Sequence, residues 1–235
     1  MCLFLVKYSY FVLFTSAIYH FMDQLIDFIL HTDDALISLV ADNIYKAYFI
    51  LFLIIMLETG LIVFPFLPGD GLLFSAGVVA ASTEMNVWVL LVLLITAAIA
   101  GNTINFYVGM TLGAGLKQSN NYLIKNYLMA HVPKAEEFYA KHGGRAIIIG
   151  RFFPIVRTYI PFLAGIVRME RHSFMKNTIT GAVAWITIFL LTGYFVGEIP
   201  WVKNNYGIIF LSLIIITTLP LLFSVIMKIF KKLTT

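Results

Sequence analysis

Between Glu58 and Gly77 the chain reads ETGLIVFPFLPGDGLLFSAG, a run apolar enough to enter a bilayer that nevertheless holds two carboxylates, two prolines and four glycines. A charge at the bilayer centre costs about 2.5–3.5 kcal/mol on insertion scales. Proline and glycine also interrupt a helix. Such a stretch is not a plain spanning helix. Irregular backbone at membrane depth survives only when it is buried in protein or lines a wet cavity. The run therefore demands a folded polar environment inside an apolar protein.

Composition places that protein in a membrane. Of 235 residues, 60% are hydrophobic and 12% charged, against about 25% charged in soluble domains. The excess apolar surface has to face lipid, so an all-α integral membrane protein is expected. Cys2 is the only cysteine, which excludes a disulfide framework and a thiolate metal site. No metal, cofactor or nucleic-acid partner is expected. The chain reads as one membrane domain over 22–235, preceded by an apolar extension, 1–21. That extension is either an anchor helix or lies upstream of a working start at Met22.

Apolar runs long enough to span fall at about 4–21, 47–66, 87–112, 177–197 and 206–227, by the requirement for roughly 20 apolar residues. Two more, Leu67–Ala81 and Ala146–Val167, are broken by Pro and Gly. Lys117, Lys125, Lys134, Lys141 and Arg145 crowd one loop, Arg168, Arg171 and Lys176 the next, and Lys228, Lys231 and Lys232 the tail. The segment Met22–Asp42 has five aspartates and no Lys or Arg. The positive-inside rule then puts the basic loops and the C-terminus in the cytoplasm. With like flanks on both sides, each broken segment should enter and return from one face, the two from opposite faces.

Internal similarity points the same way. FPFLPGDGLLFSAGVV from Phe64 pairs with FPIVRTYIPFLAGIV from Phe153, and each is followed by a Gly-xxx-Gly pair, Gly109/Gly113 and Gly193/Gly197. Opposite insertion with weak internal similarity is the mark of an inverted-topology repeat, with the broken elements at the binding site. The expected fold is thus two re-entrant Pro/Gly-broken helical hairpins plus transmembrane helices, the first repeat over 47–112 and the second, with the last helix, over 146–227.

Four ionisable residues sit in the broken segments: Glu58 and Asp70 in the first, Arg151 and Arg157 in the second. Arginine keeps its charge and offers a planar fork that fits phosphate oxygens. Burial disfavours the charged form of a carboxylate, which makes it able to bind and release a proton. The set suits an anionic headgroup handled together with protons: Arg151 and Arg157 hold phosphate, Glu58 and Asp70 gate. Weaker cavity-lining candidates are Gly69, Gly71, Asn102, Asn105, Pro154, Thr158 and Tyr159. Gly69 and Gly71 allow close approach or a sharp turn, and Pro154 and Pro161 bracket Arg157 so that no continuous helix is expected there. Asn102 and Asn105 serve either the cavity or interhelical hydrogen bonding. Trp185 and Tyr194 are read as packing or interface anchors.

These motifs resemble the DedA family, also called the SNARE-associated Golgi protein or VTT-domain family. The resemblance rests on ETGLIVFPFLPGD at Glu58–Asp70, GNTINFYVGM at Gly101–Met110, FYAKHG at Phe138–Gly143, RFFPIVRTYIPFLAG at Arg151–Gly165 and GAVAW at Gly181–Trp185. It implies a multi-pass protein of the bacterial inner membrane with two re-entrant hairpins in inverted repeats, engaged in moving lipids across the bilayer. Undecaprenyl phosphate recycling linked to the proton motive force is the leading expectation, a phosphatidylethanolamine flippase or scramblase the alternative. The family's essential acids and arginines match Glu58, Asp70, Arg151 and Arg157. Two positions depart: Asn102 follows Gly101 where many relatives carry Asp, and Met110 follows Gly109 where relatives often have Arg.

Two rival classes fit less well. A lipid phosphatase needs a base, nucleophile or metal, and His20, His31, His131, His142 and His172 all fall near predicted loops or helix ends. A cation antiporter would place its cargo beside two repelling arginines. The expected partners are a membrane lipid and protons. Oligomeric state stays open, since Gly-xxx-Gly serves contacts within a bundle or between chains.

Overall fold

The computed structural model describes residues 32–60, 69–118, 143–151 and 154–199, with Trp201 and Ser212. The expected spans at 4–21 and, apart from Ser212, 206–227 lie outside the described residues, as do most of the basic loop and the tail. Among the described residues all regular structure is helical: α1 Thr32–Asp42, α2 Ile44–Gly60, α3 Gly69–Ser82, α4 Val87–Gln118, α5 Arg145–Gly150, α6 Pro154–Ile166 and α7 Arg171–Gly197.

Helix starts follow local chemistry. Asn43 Oδ1 accepts hydrogen bonds from the backbone N–H groups of Tyr45 (2.9 Å) and Lys46 (3.1 Å), and Asn86 Oδ1 from those of Trp88 (2.9 Å) and Val89 (3.2 Å). Each satisfies N–H groups that a first turn leaves unpaired. The Tyr48 hydroxyl accepts from the Asn86 N–H at 2.8 Å and donates to the Asn86 carbonyl at 3.3 Å. It ties the start of α2 to the start of α4.

From that tie α2 and α4 run side by side until Gly60 meets Gly101, where a Cβ on Gly60 would come within 3.2 Å of the Gly101 Cα. α3 starts against Glu58 near the end of α2 and finishes four residues short of α4. The end of α2 thus adjoins both the start of α3 and the middle of α4. Arg151, just after α5, and Arg157, in the first part of α6, lie against Thr178 and Trp185 in α7. α3 is 14 residues long and α6 is 13, about 20 Å each at 1.5 Å per residue. Neither covers a hydrocarbon core of about 30 Å.

The short helices exchange partners. α3 packs chiefly on α7, and α6 chiefly on α4. In both pairs the Gly-xxx-Gly helix presents glycine to the other's backbone. A Cβ on Gly193 would collide with the Phe74 carbonyl, and one on Gly109 with the Phe162 carbonyl. Gly197 faces Val78 as Gly113 faces Ile166, and Gly77 and Gly165 return the contact from the short helices. Both Gly-xxx-Gly pairs therefore serve contacts within the bundle.

The expected span at 87–112 is realised by α4, and 177–197 by α7, which starts earlier at Arg171. Among the described residues two stretches are long and apolar enough to cross a membrane, Val87–Gly113 and Arg171–Gly197. Both turn large side chains outward, among them Trp88 (61% exposed), Val92 (62%) and Phe195 (64%). α3, by contrast, is buried at every residue from Gly69 to Ala80. That is the expected place for a helix apolar all round.

One expectation fails here. α6 continues through Pro161, so Pro154 and Pro161 do not break the chain around Arg157. Pro154 occupies the first helical position, where its missing N–H costs nothing. Pro161 removes one hydrogen bond from the turn above Arg157. The backbone packing of Phe162 and Gly165 on α4 holds the helix together across the gap.

Candidate functional site

The four charged residues singled out from the sequence are all buried, and three of them, Glu58, Asp70 and Arg157, come together. Glu58 is near the end of α2, Asp70 in the first turn of α3, Arg151 directly after α5 and Arg157 in α6. Their exposures are 2%, 8%, 4% and 6%, so all four are withdrawn from solvent and lipid.

Both terminal nitrogens of Arg157 are engaged, while its Nε has no hydrogen-bond partner. Nη1 donates to Asp70 Oδ1 at 2.6 Å, and Nη2 donates to Glu58 Oε1. One guanidinium from the second half thus spans two acids from the first, a geometry its planar fork allows and an ammonium would not. The Glu58 carboxylate abuts Gly69 so closely that a Cβ there would overlap it. Gly69 is needed for that approach rather than for a turn. It also heads α3, whose N-terminal dipole favours both nearby carboxylates.

Trp185 completes the cluster. Its Nε1 donates to Asp70 Oδ1 at 2.8 Å, and its ring lies 4.9 Å below the Arg157 guanidinium carbon. The packing role expected for Trp185 is therefore incomplete. A lone Trp in an apolar helix carries no signal of its polar edge, and only the partner's position reveals it. Tyr194 does pack, next to Gly77.

Arg151 is placed differently. Its Nη2 donates to the Thr178 carbonyl at 3.2 Å. Its Nε has no hydrogen-bond partner. Among the described residues the buried ion pairs are those of Arg157 with Glu58 and Asp70, and none involves Arg151. Gly181 makes room for it, since a Cβ there would sit 2.9 Å from Arg151 Cδ and Nε.

Among the weaker candidates, Asn105 reaches across helices. Its Nδ2 donates to the Thr158 carbonyl at 2.8 Å and the Thr59 carbonyl at 3.4 Å, joining α2, α4 and α6. Asn102 is buried one turn earlier on α4. Gly71 lies inside α3 rather than at a turn, its carbonyl accepting from Ser75 Oγ at 2.7 Å. Pro154 heads α6, Thr158 is buried and Tyr159 half-buried. Neither Gly71 nor Tyr159 hydrogen-bonds to the four charged side chains. No cluster of three or more His, Cys, Asp or Glu suited to a metal occurs among the described residues.

The chain is similar to known proteins over much of its length. Protein DedA of Escherichia coli K12 is 43% identical over 198 residues, covering 83% of this chain and 90% of that one. The chain belongs to the DedA family. The profile of the VTT domain matches residues 67–195, from just before Asp70 to the far part of α7. An uncharacterized membrane protein of Mycobacterium tuberculosis is 35% identical over 176 residues, 73% of this chain and 75% of its own. The inner membrane protein YqjA of Escherichia coli K12 is 35% identical over 158 residues, 65% of this chain and 69% of its own. No solved structure matches. In this DedA-family chain Asp70, Arg151, Arg157 and Trp185 fall within the matched domain, while Glu58 precedes it.

Proposed function

We propose that this DedA-family protein is a translocase for a phosphate-bearing lipid, undecaprenyl phosphate in the leading reading, linked to the proton motive force. The observation that carries it is the unequal pairing of the two buried arginines. Arg157 is held by two carboxylates, whereas among the described residues Arg151 has no carboxylate partner and bonds to the Thr178 carbonyl. Formally the four groups sum to zero, but the charge around Arg157 is one too negative and that at Arg151 one too positive. An anion settling on Arg151 and a proton settling on Glu58 or Asp70 together preserve the balance. Either alone disturbs it in a medium where imbalance is expensive. Protonation also loosens the grip on Arg157, freeing its fork for phosphate.

The architecture supports the same reading. We take α2–α3 and α5–α6 as re-entrant hairpins of an inverted-topology repeat, each too short to span and each lodged on the other half's long helix. A headgroup would cross between them while its tail stays in lipid. The basic segments then lie on the cytoplasmic side of a bacterial inner membrane, with the C-terminus.

The test is reconstitution into liposomes and measurement of transbilayer movement of undecaprenyl phosphate beside phosphatidylethanolamine, with and without a proton gradient. Gradient-dependent movement of the polyprenyl phosphate, abolished by Arg151→Ala/Arg157→Ala, is the expected outcome. Equal, gradient-independent movement of both lipids would make the protein a scramblase, and no movement would refute lipid translocation.

A further inference from the structure

Serine and threonine hydroxyls buried in helices ordinarily donate to the carbonyl one turn back. This bundle follows the habit: the buried Thr59 donates to Ile55 at 2.8 Å and Ser75 to Gly71 at 2.7 Å, as do the half-buried Thr103 to Ile99 at 2.7 Å and the exposed Thr180 to Lys176 at 2.9 Å. Thr178 does not. Its residue is 0% exposed, yet its Oγ1 has no partner. The residue whose carbonyl it carries is the one that receives Arg151 Nη2 at 3.2 Å, and Arg151 Nε is likewise without a partner.

Two buried polar groups left open on adjoining residues are costly, about 1–3 kcal/mol for an unpaired neutral group and more for a charged one. Native interiors rarely keep such groups without a use. Both can donate, Arg151 Nε through its N–H and Thr178 through its hydroxyl. Two donors, one of them on a fixed cation, with no acidic side chain among the described residues in ion-pair contact, recognise an anion with several acceptor oxygens. A phosphate monoester or diester has that chemistry. Gly181 keeps the slot open, because any side chain there would press on Arg151 Cδ and Nε.

We infer that Thr178 and Arg151 together form the phosphate subsite, the Thr178 hydroxyl supplying the second donor. This rests on the reading of Arg151 as the phosphate-receiving arginine. The subsite is separate from the acid-bound tip of Arg157, and it is closed in the present conformation. Loading it requires α5 and the Arg151 turn to draw back from α7.

The experiment compares Thr178→Val, which keeps the branched shape and removes the hydroxyl, with Thr178→Ser, which keeps the hydroxyl, and with Arg151→Gln. Each full-length protein is placed in nanodiscs containing phosphatidic acid and titrated for lipid binding, with inorganic phosphate as competitor. Thermal unfolding checks that each variant is folded. Thr178→Val should bind phosphatidic acid about tenfold more weakly, within the worth of one hydrogen bond to a charged group. Thr178→Ser should bind as the parent does, and Arg151→Gln should lose binding. If Thr178→Val fails to fold, Thr178→Ala takes its place. Competition by millimolar phosphate identifies the bare phosphate as sufficient, and its absence identifies the lipid ester as the ligand; both fit the subsite. Parental binding by Thr178→Val with loss in Arg151→Gln overturns the subsite and leaves the translocase reading standing. Equal weakening by Val and Ser assigns Thr178 to packing and also overturns it. Parental binding by Arg151→Gln overturns both.

Discussion

The contact of α2 with α4 and the contact of α5 with α7 both depend on a glycine of the long helix and are filled differently. Where α2 reaches the middle of α4, Gly101 admits neutral groups, with Thr59 Oγ1, the Met56 carbonyl and Gly60 pressed against it. Where α5 reaches α7, Gly181 admits the stem of Arg151. The first contact involves no charged group, and the second holds a buried cation. All the acid in the cluster comes from the first half and all the base from the second. The site is asymmetric: the glycine at 101 serves helix packing, and the one at 181 makes room for charge.

The sharpest way to break this comparison is to remove each arginine in turn. Without Arg157, Glu58 and Asp70 are left side by side in a buried site, and losing one partner of a buried pair costs about 3–5 kcal/mol. Arg157→Ala should therefore unfold at much lower temperature in detergent. Arg157→Lys should recover only part of the loss, because one ammonium cannot replace two separate donors. Arg151→Gln should melt at or above the parental temperature, since it removes a cation that lacks a carboxylate. Equal destabilisation by both would mean that Arg151 is as firmly paired as Arg157.

Next in size are the glycine contacts, which test whether the two halves bear equal loads. Gly109→Ala and Gly193→Ala each drive a methyl into the opposing carbonyl, of Phe162 and Phe74 respectively. Overpacking of this kind costs typically 1–3 kcal/mol. Comparable losses in thermal stability are expected from the two, with the double variant close to their sum. A loss confined to one would show that the matching contacts do not share the load.

The charged residues of the site were legible in the sequence for a physical reason. Glu58, Asp70, Arg151 and Arg157 stand out because charge in an apolar run is improbable without a use; all four are buried, and Glu58, Asp70 and Arg157 meet in one ion-paired cluster, with Arg151 bonded to Thr178 instead. Gly109, Gly113, Gly193 and Gly197 were legible as close-packing positions, although spacing alone could not say whether the neighbour was this chain or another. Pairing was not legible. Nothing in RFFPIVRTYIP indicates that its second arginine is bound by two acids and its first by none, since that depends on which helix each meets. The path through Pro161 was misread because local rules count the lost hydrogen bond but not the tertiary packing of Phe162 and Gly165. Thr178 was invisible because its significance is an absent bond.

The smallest effect concerns Trp185, the residue whose polar edge sequence reasoning missed. Its indole makes two interactions at once, a hydrogen bond to Asp70 Oδ1 at 2.8 Å and a ring face beneath the Arg157 guanidinium at 4.9 Å. Trp185→Phe removes the first and retains much of the second. Asp70 Oδ1 keeps its bond from Arg157, so the acid is weakened in position rather than orphaned. The stability cost should stay near 1–2 kcal/mol, combining one lost hydrogen bond with a small void. Trp185→Leu removes both interactions and should cost more. The difference between the two measures the ring's hold on Arg157. If Phe and Leu proved equal, the cation over the ring would contribute nothing, and Trp185 would act on the site through Asp70 alone.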